Sequence, residues 1–305
     1  MFSEDLALYE YFDSVGVSFT GYEWSGDVYH DYSSRGNPDR EGGTPLFGHG
    51  PDFGYFQFGA IWYGDELWNG GRIGDVDGDG TEDEFDRLLW QDSVANGRAF
   101  KTWTSFDHPE LGEVEVGGWH PKFFNQNGPP EVLSHWAGNE AQFNFFLAQS
   151  LPDLSVSPST RQTGSTGETT MWEVTLSISN DGRLPTALRQ AELVKIVRPD
   201  RVTMRIEGAR TGGDDPQARF ITAAGEAGGG GRGGRGGGGG RGGRGGGGGG
   251  AASSSELGYL QPGETRDVVF QIETTGLDAV RGTYELVSTR GGIIRGTFNT
   301  GEAGS

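Results

Sequence analysis

The spacing of hydrophobic residues separates a helix-rich first part of the chain from a strand-rich second part. In the first part it predicts three helices, at Glu4–Val15, Asp83–Ser93 and Pro130–Leu151. Short apolar runs predict two strands there, at Val17–Phe19 and Ala60–Leu67. In the first helix Tyr9 and Phe12 share one face, Ser3 can cap the N-terminus, and Gly16 is expected to end the helix. These elements favour an α/β fold for the first part.

Beyond residue 152, hydrophobic and polar residues alternate, as is typical of half-buried strands. The clearest example is Trp172–Ser179. Five further strands are predicted, at Gln190–Val197, Val202–Ile206, Val268–Ile272, Thr283–Ser288 and Ile293–Phe298. Turn sequences such as Asn180-Asp181-Gly182 separate the strands, and no helix is predicted between them. The second part is therefore predicted to be an all-β immunoglobulin-like sandwich.

Charge changes at the same place as the hydrophobic pattern. The chain has a formal charge of −19; residues 1–150 contain 26 acidic and 7 basic side chains, and the remainder is neutral overall. Seven of the eight tryptophans also lie before residue 151. We therefore predict two domains, 1–151 and 152–305. The acidic first domain argues against a nucleic-acid partner, because it would repel phosphates.

Composition excludes several classes of protein. There is no cysteine, which rules out a disulfide scaffold, a cysteine nucleophile and Cys-ligated metal sites. No run of 18 or more apolar residues is present, so we expect no membrane span. Residues 228–250 are 19 glycines and 4 arginines, and we expect 225–255 to be a disordered loop of the sandwich. An RNA-interacting protein acting through this Arg/Gly tract is one alternative function.

An Asp-rich segment at 74–86 has the spacing of an EF-hand or dockerin calcium loop. Its predicted calcium ligands occupy loop positions 1, 3, 5, 7, 9 and 12, and they are Asp75, Asp77, Asp79, Thr81, Asp83 and Asp86. Gly80 at position 6 permits the sharp bend that such loops need. Two residues depart from the pattern: Glu82 replaces an aliphatic residue, and Asp86 is shorter than the usual bidentate Glu. We expect a structural Ca²⁺, because carboxylates this close repel one another without a cation.

A candidate catalytic carboxylate follows the apolar run at 60–67. The segment Gly50–Tyr55 is a short acidic and aromatic turn, and the run that follows it ends at Glu66 and Leu67. A Glu at the end of a buried strand lies where α/β sheets bind ligands. Partial burial would raise its pKa and suit it to act as a general base. A surface Glu after an edge strand is the alternative interpretation.

This stretch resembles the end of the catalytic domain of zinc metallocarboxypeptidases of the carboxypeptidase A type. In that family an Asp-aromatic-x-Tyr motif, here Asp52–Tyr55, precedes a strand that closes in Glu-Leu. The chain resembles most a bacterial branch that carries a C-terminal β-sandwich, through the segments Phe106–Trp119 and Leu184–Gln190. The resemblance covers nearly all of the chain outside the Arg/Gly tract. It implies that residues 1–151 are the C-terminal part of a carboxypeptidase-like mixed-sheet domain.

The resemblance also implies roles for individual residues. Glu66 would be the general base and acid, taking a proton from zinc-bound water and returning it to the leaving amine. Asp52 and Phe53 would lie at the pocket that receives the C-terminal side chain of a peptide or protein substrate. The family's mobile substrate-capping Tyr falls at Thr44 here, and Tyr32 or Tyr29 is the substitute that we consider.

The zinc ligands that the resemblance implies are missing from this sequence. The family holds zinc with a His-x-x-Glu pair and a distant His, all upstream of the catalytic Glu, and none of the five histidines here begins such a pair. We therefore expect the chain to be the C-terminal portion of a zinc carboxypeptidase, inactive alone and secreted, periplasmic or on the cell surface. The other alternative is a non-catalytic calcium-binding surface or adhesion module.

Overall fold

The computed structural model describes residues 1–22, 48–65, 67–68, 73–120, 122, 124, 126–207, 218–221 and 252–301. The chain divides into two compact units. The first unit consists of Met1–Leu8, Asp52–Ile61 and Gln149–Ser305, and the second of Tyr9–Pro51 and Trp62–Ala148. Two short segments from the first half of the sequence thus belong to the same unit as the strand-rich second half.

The first unit contains two antiparallel four-stranded sheets in a sandwich-like arrangement. One sheet has the order β10-β9-β5-β7, from Gly292–Asn299, Arg281–Ser288, Asp200–Ile206 and Ala252–Gly258. The other has the order β3-β4-β8-β6, from Leu154–Thr166, Thr169–Asn180, Thr265–Thr275 and Ala218–Phe220. Five of the six strands predicted for the second half are confirmed as parts of β4, β5, β8, β9 and β10.

The alternation read from the sequence determines the core of the sandwich. Val174, Leu176 and Ile178 of β4 are fully buried, and they share one apolar cluster with Phe270 of β8 and Met204 of β5. The residues between them on β4 point to the opposite, partly exposed face. Each large apolar side chain buried in this way contributes about 1.5–3 kcal/mol, so the cluster is the main stabilising element of the sandwich.

The strand predicted at Gln190–Val197 is wrong. Arg189–Val194 forms a short helix, α5, which ends at Lys195 with φ of 55° in the left-handed region. Three of its larger apolar residues are exposed, including Leu193 at 62% and Ile196 at 42%, whereas Val197 is buried. The short helix instead turns Gln190 and Ala191 inward.

The second unit combines helices with a separate hairpin. Its helical residues lie in α1 (Ser3–Thr20, from Tyr9 onward), α2 (Gly50–Asp52, to Pro51), α3 (Glu84–Ser93) and α4 (Pro130–Gln149, to Ala148). Strands β1 (Phe100–His108) and β2 (Gly112–Trp119) form a two-stranded antiparallel hairpin, which the sequence analysis did not predict. Trp68 stacks on Trp90 with ring centroids 5.8 Å apart, and together with Ala95 and Ala99 they form a buried cluster.

Two predictions for the first part of the chain are wrong. Helix α1 passes through Gly16 to Thr20, so the strand predicted at Val17–Phe19 is helical. Gly16 is needed for packing rather than for ending the helix, because a Cβ there would lie 3.1 Å from the Phe143 ring. The run predicted as a buried strand at 60–67 has no strand among its described residues, and Trp62 and Leu67 are exposed.

Among the residues that the structure describes, no helix is both long and apolar enough to cross a membrane.

Candidate functional site

Residues Gly50–Gln57 form a compact helical turn around the predicted substrate-pocket residues. Helix α2 continues directly into a π-helical turn at Phe53–Gln57. The Asp52 carboxylate accepts a hydrogen bond from the Phe53 amide at 2.8 Å, which caps the second turn. Asp52 is half-buried and the Phe53 ring is 55% exposed, so both side chains remain accessible beside one another.

Tyr55, two residues after Phe53, is buried rather than exposed. Its ring is fully buried, and its hydroxyl donates to Asp5 Oδ2 at 2.9 Å and accepts from the Phe2 amide at 3.2 Å. Asp5 is itself only 2% exposed and accepts the amides of Arg189 (2.8 Å) and Gln190 (3.0 Å). All of these residues belong to the first compact unit.

The predicted general base and the predicted capping tyrosine lie outside the described residues, as do Thr44 and the Arg/Gly tract. The neighbours of Glu66 are described. Asp65 accepts a hydrogen bond from Asn144 Nδ2 at 2.5 Å, and the Trp68 indole N–H donates to the Phe124 carbonyl at 3.0 Å.

The Asp-rich segment folds as a loop tied together by its own carboxylates. Asp75 Oδ1 accepts the amides of Gly78 (2.6 Å) and Asp79 (3.1 Å), and Asp75 Oδ2 accepts the amide of Gly80 (2.8 Å). Gly80 has φ of 92°, which a residue with a side chain rarely adopts. The sharp bend predicted at position 6 is therefore present.

Asp86 closes the loop from the first turn of helix α3. Asp86 is 2% exposed, and its Oδ1 accepts hydrogen bonds from the amides of Val76 (2.6 Å) and Asp77 (3.2 Å). Its Oδ2 accepts the Asp83 amide at 2.9 Å, which completes a capping box with the Asp83 side chain. The acidic residue at position 12 thus returns to the start of the loop.

Three of the six predicted calcium ligands converge in the structure. Each of Asp75, Asp77 and Asp86 offers one carboxylate oxygen, and these oxygens all lie within 4.8 Å of one another. Asp83 instead caps helix α3 by accepting the Phe85 amide, and Asp79 accepts both the amide and the hydroxyl of its neighbour Thr81. The converging atoms are hard oxygens, the donor type that Ca²⁺ prefers.

The carboxylates of the loop shift one another's ionisation. The Asp79 amide donates to Asp77 and acts to lower its pKa, but desolvation and the charges of Asp79, Asp86 and Asp75 outweigh this bond and raise it. The pKa of Asp86 is lowered, chiefly by the hydrogen bond from the Asp83 backbone and further by the Val76 and Asp77 amides. A cation between these oxygens would relieve the repulsion felt by Asp77.

The described histidines do not form a zinc centre. His108 Nδ1 accepts the amides of Glu110 and Leu111, both at 3.2 Å, and thereby shapes the tip of the β1–β2 hairpin. His135 pairs with Asn139 on the surface of helix α4. Within the described part of the chain, Asp75, Asp77 and Asp86 are the only group of three residues able to hold a metal. Carboxylates alone do not fit the nitrogen-rich set that the carboxypeptidase resemblance implies.

Two residues of the pocket region were not predicted from sequence. Asp5 lies in the first turn of helix α1, and Gln190 begins the segment predicted as a strand at Gln190–Val197. Both have buried side chains, and both contact the turn at 53–57: Asp5 through Tyr55, and Gln190 through the Phe56 carbonyl at 2.9 Å. The partners are separated by 50 and 134 positions, so no local pattern reports these contacts.

A family match and two similar solved structures each cover just under half of the chain. The family described as "Domain of unknown function (DUF8731)" matches residues 158–299. No curated protein matches the chain. Solved structures similar to it include two that each cover about half of the chain. One is the archaellum periplasmic stator protein FlaG from Sulfolobus acidocaldarius, with 15% identity over 48% of this chain and 100% of that chain, and a TM-score of 0.18.

The other structure is the putative ApaA protein from Bordetella pertussis, with 16% identity over 49% of this chain and 94% of that chain, and a TM-score of 0.23. Both TM-scores are too low for either fold or function to be transferred. The family match does not include the turn at Gly50–Gln57 or the Asp-rich loop at 74–86.

Proposed function

We propose that this chain is the C-terminal portion of a zinc metallocarboxypeptidase that removes C-terminal amino acids from peptides and proteins. The observation that carries the proposal is the order and interval of the Asp52–Tyr55 motif and Glu66, together with the segments Phe106–Trp119 and Leu184–Gln190. In this assignment the first half belongs to a carboxypeptidase-like domain, and the second half is an immunoglobulin-like sandwich. The protein acts in a secreted, periplasmic or cell-surface location.

The geometry of the pocket turn supports the roles proposed for Asp52 and Phe53. A pocket that receives a C-terminal side chain needs accessible groups on a backbone that does not move when substrate binds. Phe53 is exposed while Tyr55 is buried and hydrogen-bonded at both hydroxyl positions. The turn therefore presents one aromatic residue to solvent and fixes the next in the protein interior.

Glu66 is the proposed general base, and Tyr32 the proposed substrate cap. The described histidines and carboxylates do not fit zinc. In this proposal the metal ligands are therefore residues upstream of residue 1, where the family's motif order puts them. The 305-residue chain is then expected to hydrolyse no peptide by itself.

Mass spectrometry of the native protein tests the proposal first. Tryptic peptides that map upstream of residue 1 and include a His-x-x-Glu sequence are expected. In the native peptidase, Glu66→Gln should lower kcat by several orders of magnitude with unchanged zinc content, whereas Glu110→Gln at the hairpin tip should leave kcat unchanged. Robust hydrolysis by the 305-residue chain with stoichiometric zinc, or an unchanged kcat in Glu66→Gln, would refute the assignment.

We also propose a structural Ca²⁺ in the Asp-rich loop. The observation that favours it is the convergence of oxygens from Asp75, Asp77 and Asp86 within 4.8 Å. Calcium should raise the melting temperature of the chain, because a ligand that binds only the folded state stabilises it by RT ln(1 + [Ca²⁺]/Kd). Asp86→Asn should abolish this shift, and Asp92→Asn, on the same helix outside the loop, should retain it. Equal shifts in both variants would show that calcium binds elsewhere.

A further inference from the structure

The turn that carries Asp52 and Phe53 is built onto the sandwich unit through one buried carboxylate. Asp5 accepts three hydrogen bonds: from the Tyr55 hydroxyl at 2.9 Å, from the Arg189 amide at 2.8 Å and from the Gln190 amide at 3.0 Å. The residue is 2% exposed, so water contributes little to its solvation. A carboxylate buried in this way is stable only while its donors remain in place.

Asp5 supplies the cap that helix α5 lacks in its own sequence. Leu188 occupies the N-cap position and makes no side-chain capping bond, so the first amides of the helix need an outside acceptor. Asp5 accepts the amides of Arg189 and Gln190, the first two residues of the helix, and favours its positive end. The same carboxylate therefore fixes both α5 and the Tyr55 ring.

Four further contacts hold the rest of the turn and the two residues that follow it. Gln190 Nε2 donates to the Phe56 carbonyl at 2.9 Å, and Arg290 donates to the Phe58 carbonyl at 3.0 Å. The Arg290 guanidinium also lies 4.9 Å from the centroid of the Phe58 ring. At Gly59 the backbone approaches helix α5 so closely that a Cβ would lie 2.4 Å from the Ala191 Cα.

We propose that Asp5 and Tyr55 are positioning residues, which attach the turn bearing Asp52 and Phe53 to helix α5 so that the sandwich unit helps to build the substrate pocket. The pocket role rests on the proposed carboxypeptidase function, whereas the attachment itself does not. The segment Leu184–Gln190 leads into α5, and its last residues then supply the part of the second half of the chain that contacts Asp5. The β-sandwich then supports the turn that bears Asp52 and Phe53, within one compact unit, and is not an independent appendage.

Hydrogen exchange on the full 305-residue chain tests the attachment. Tyr55→Phe removes only the hydroxyl, and Asp5→Asn keeps the shape of the side chain but removes its charge. Both should increase amide exchange in residues 53–59 and 189–194 at least tenfold, with β4 and β8 unchanged. Tyr11→Phe is the matched control, because Tyr11 lies on the same helix as Asp5 and is 44% exposed. Unchanged protection of 53–59 in both variants would overturn the attachment.

Kinetics of the native peptidase test the positioning role. Tyr55→Phe should raise KM at least fivefold for peptides that end in a large apolar residue, with kcat within twofold, because the base Glu66 is untouched. A substitution that merely destabilised the fold would lower the active fraction, and therefore kcat, without changing KM. An unchanged KM in an active peptidase would overturn this inference alone. A native protein without peptidase activity would overturn the proposed function and the pocket role together, and hydrogen exchange would still decide the attachment.

Discussion

Asp200, at the start of β5, gives the sharpest stability prediction. Asp200 is fully buried, and within the described structure no hydrogen bond of good geometry reaches either carboxylate oxygen, although the Ser288 and Thr186 hydroxyls and the Leu260 amide lie nearby. Burial raises its pKa above the ordinary value of 3.8, although the nearby Ser288 and Thr186 hydroxyls, the Leu260 amide and the positive charge of Arg266 act in the opposite direction. The folded sandwich therefore disfavours the ionised form of this side chain.

Asp200→Asn should stabilise the protein at pH 7. The substitution conserves shape and replaces a buried charge with a neutral amide, and because a charge costs more to bury than a neutral polar group, we expect a gain of about 1–3 kcal/mol. For a cooperative unit of this size, each kcal/mol raises the melting temperature by roughly 2–4 °C. Asp278→Asn, in an exposed turn, is the control and should change stability by less than about 0.5 kcal/mol.

The pH dependence gives the same prediction a second readout. Below pH 3.8 the carboxyl is protonated in both the folded and the unfolded chain, so it imposes no penalty. As pH rises from 3.8 through the raised folded pKa, the unfolded chain ionises first and wild-type stability falls. Urea unfolding followed by circular dichroism should show the advantage of Asp200→Asn growing over this window and then levelling off. A variant that is less stable at pH 7, or an advantage independent of pH, would refute the reasoning.

Two packing predictions address the remaining core contacts. Phe143→Ala should destabilise the second unit by about 3–5 kcal/mol, because the ring is 4% exposed and contacts both Gly16 and Tyr63. Thermal melts that show a loss of stability below about 1 kcal/mol would contradict this packing. Gly282→Ala should unfold or strongly destabilise the sandwich, because its Cβ would lie 2.3 Å from the Arg205 carbonyl. The matched Gly164→Ala, where no atom lies within 4 Å, should express and melt like the wild type.

Local sequence patterns are enough to predict five of the eight described sandwich strands and the sharp bend of the Asp-rich loop. In β4 the period of two is a local property of the backbone, so alternation at Trp172–Ser179 is enough to predict both the strand and its buried face. The loop is equally local, since Asp75, Gly80 and Asp86 lie within twelve positions of one another. Hydrogen bonds between near neighbours set its geometry.

Tertiary structure decided the elements whose stability comes from distant partners. Gly16 has the same appearance in sequence whether it ends a helix or admits the Phe143 ring, and only that ring, far along the chain, selects the second role. The local pattern predicts a strand at Gln190–Val197, but capping by Asp5, 184 positions away from Arg189, favours a helix at Arg189–Val194. The contacts of Asp5 with Tyr55 and Gln190 also depend on distant partners, because a buried carboxylate can be solvated only by donors that folding brings to it.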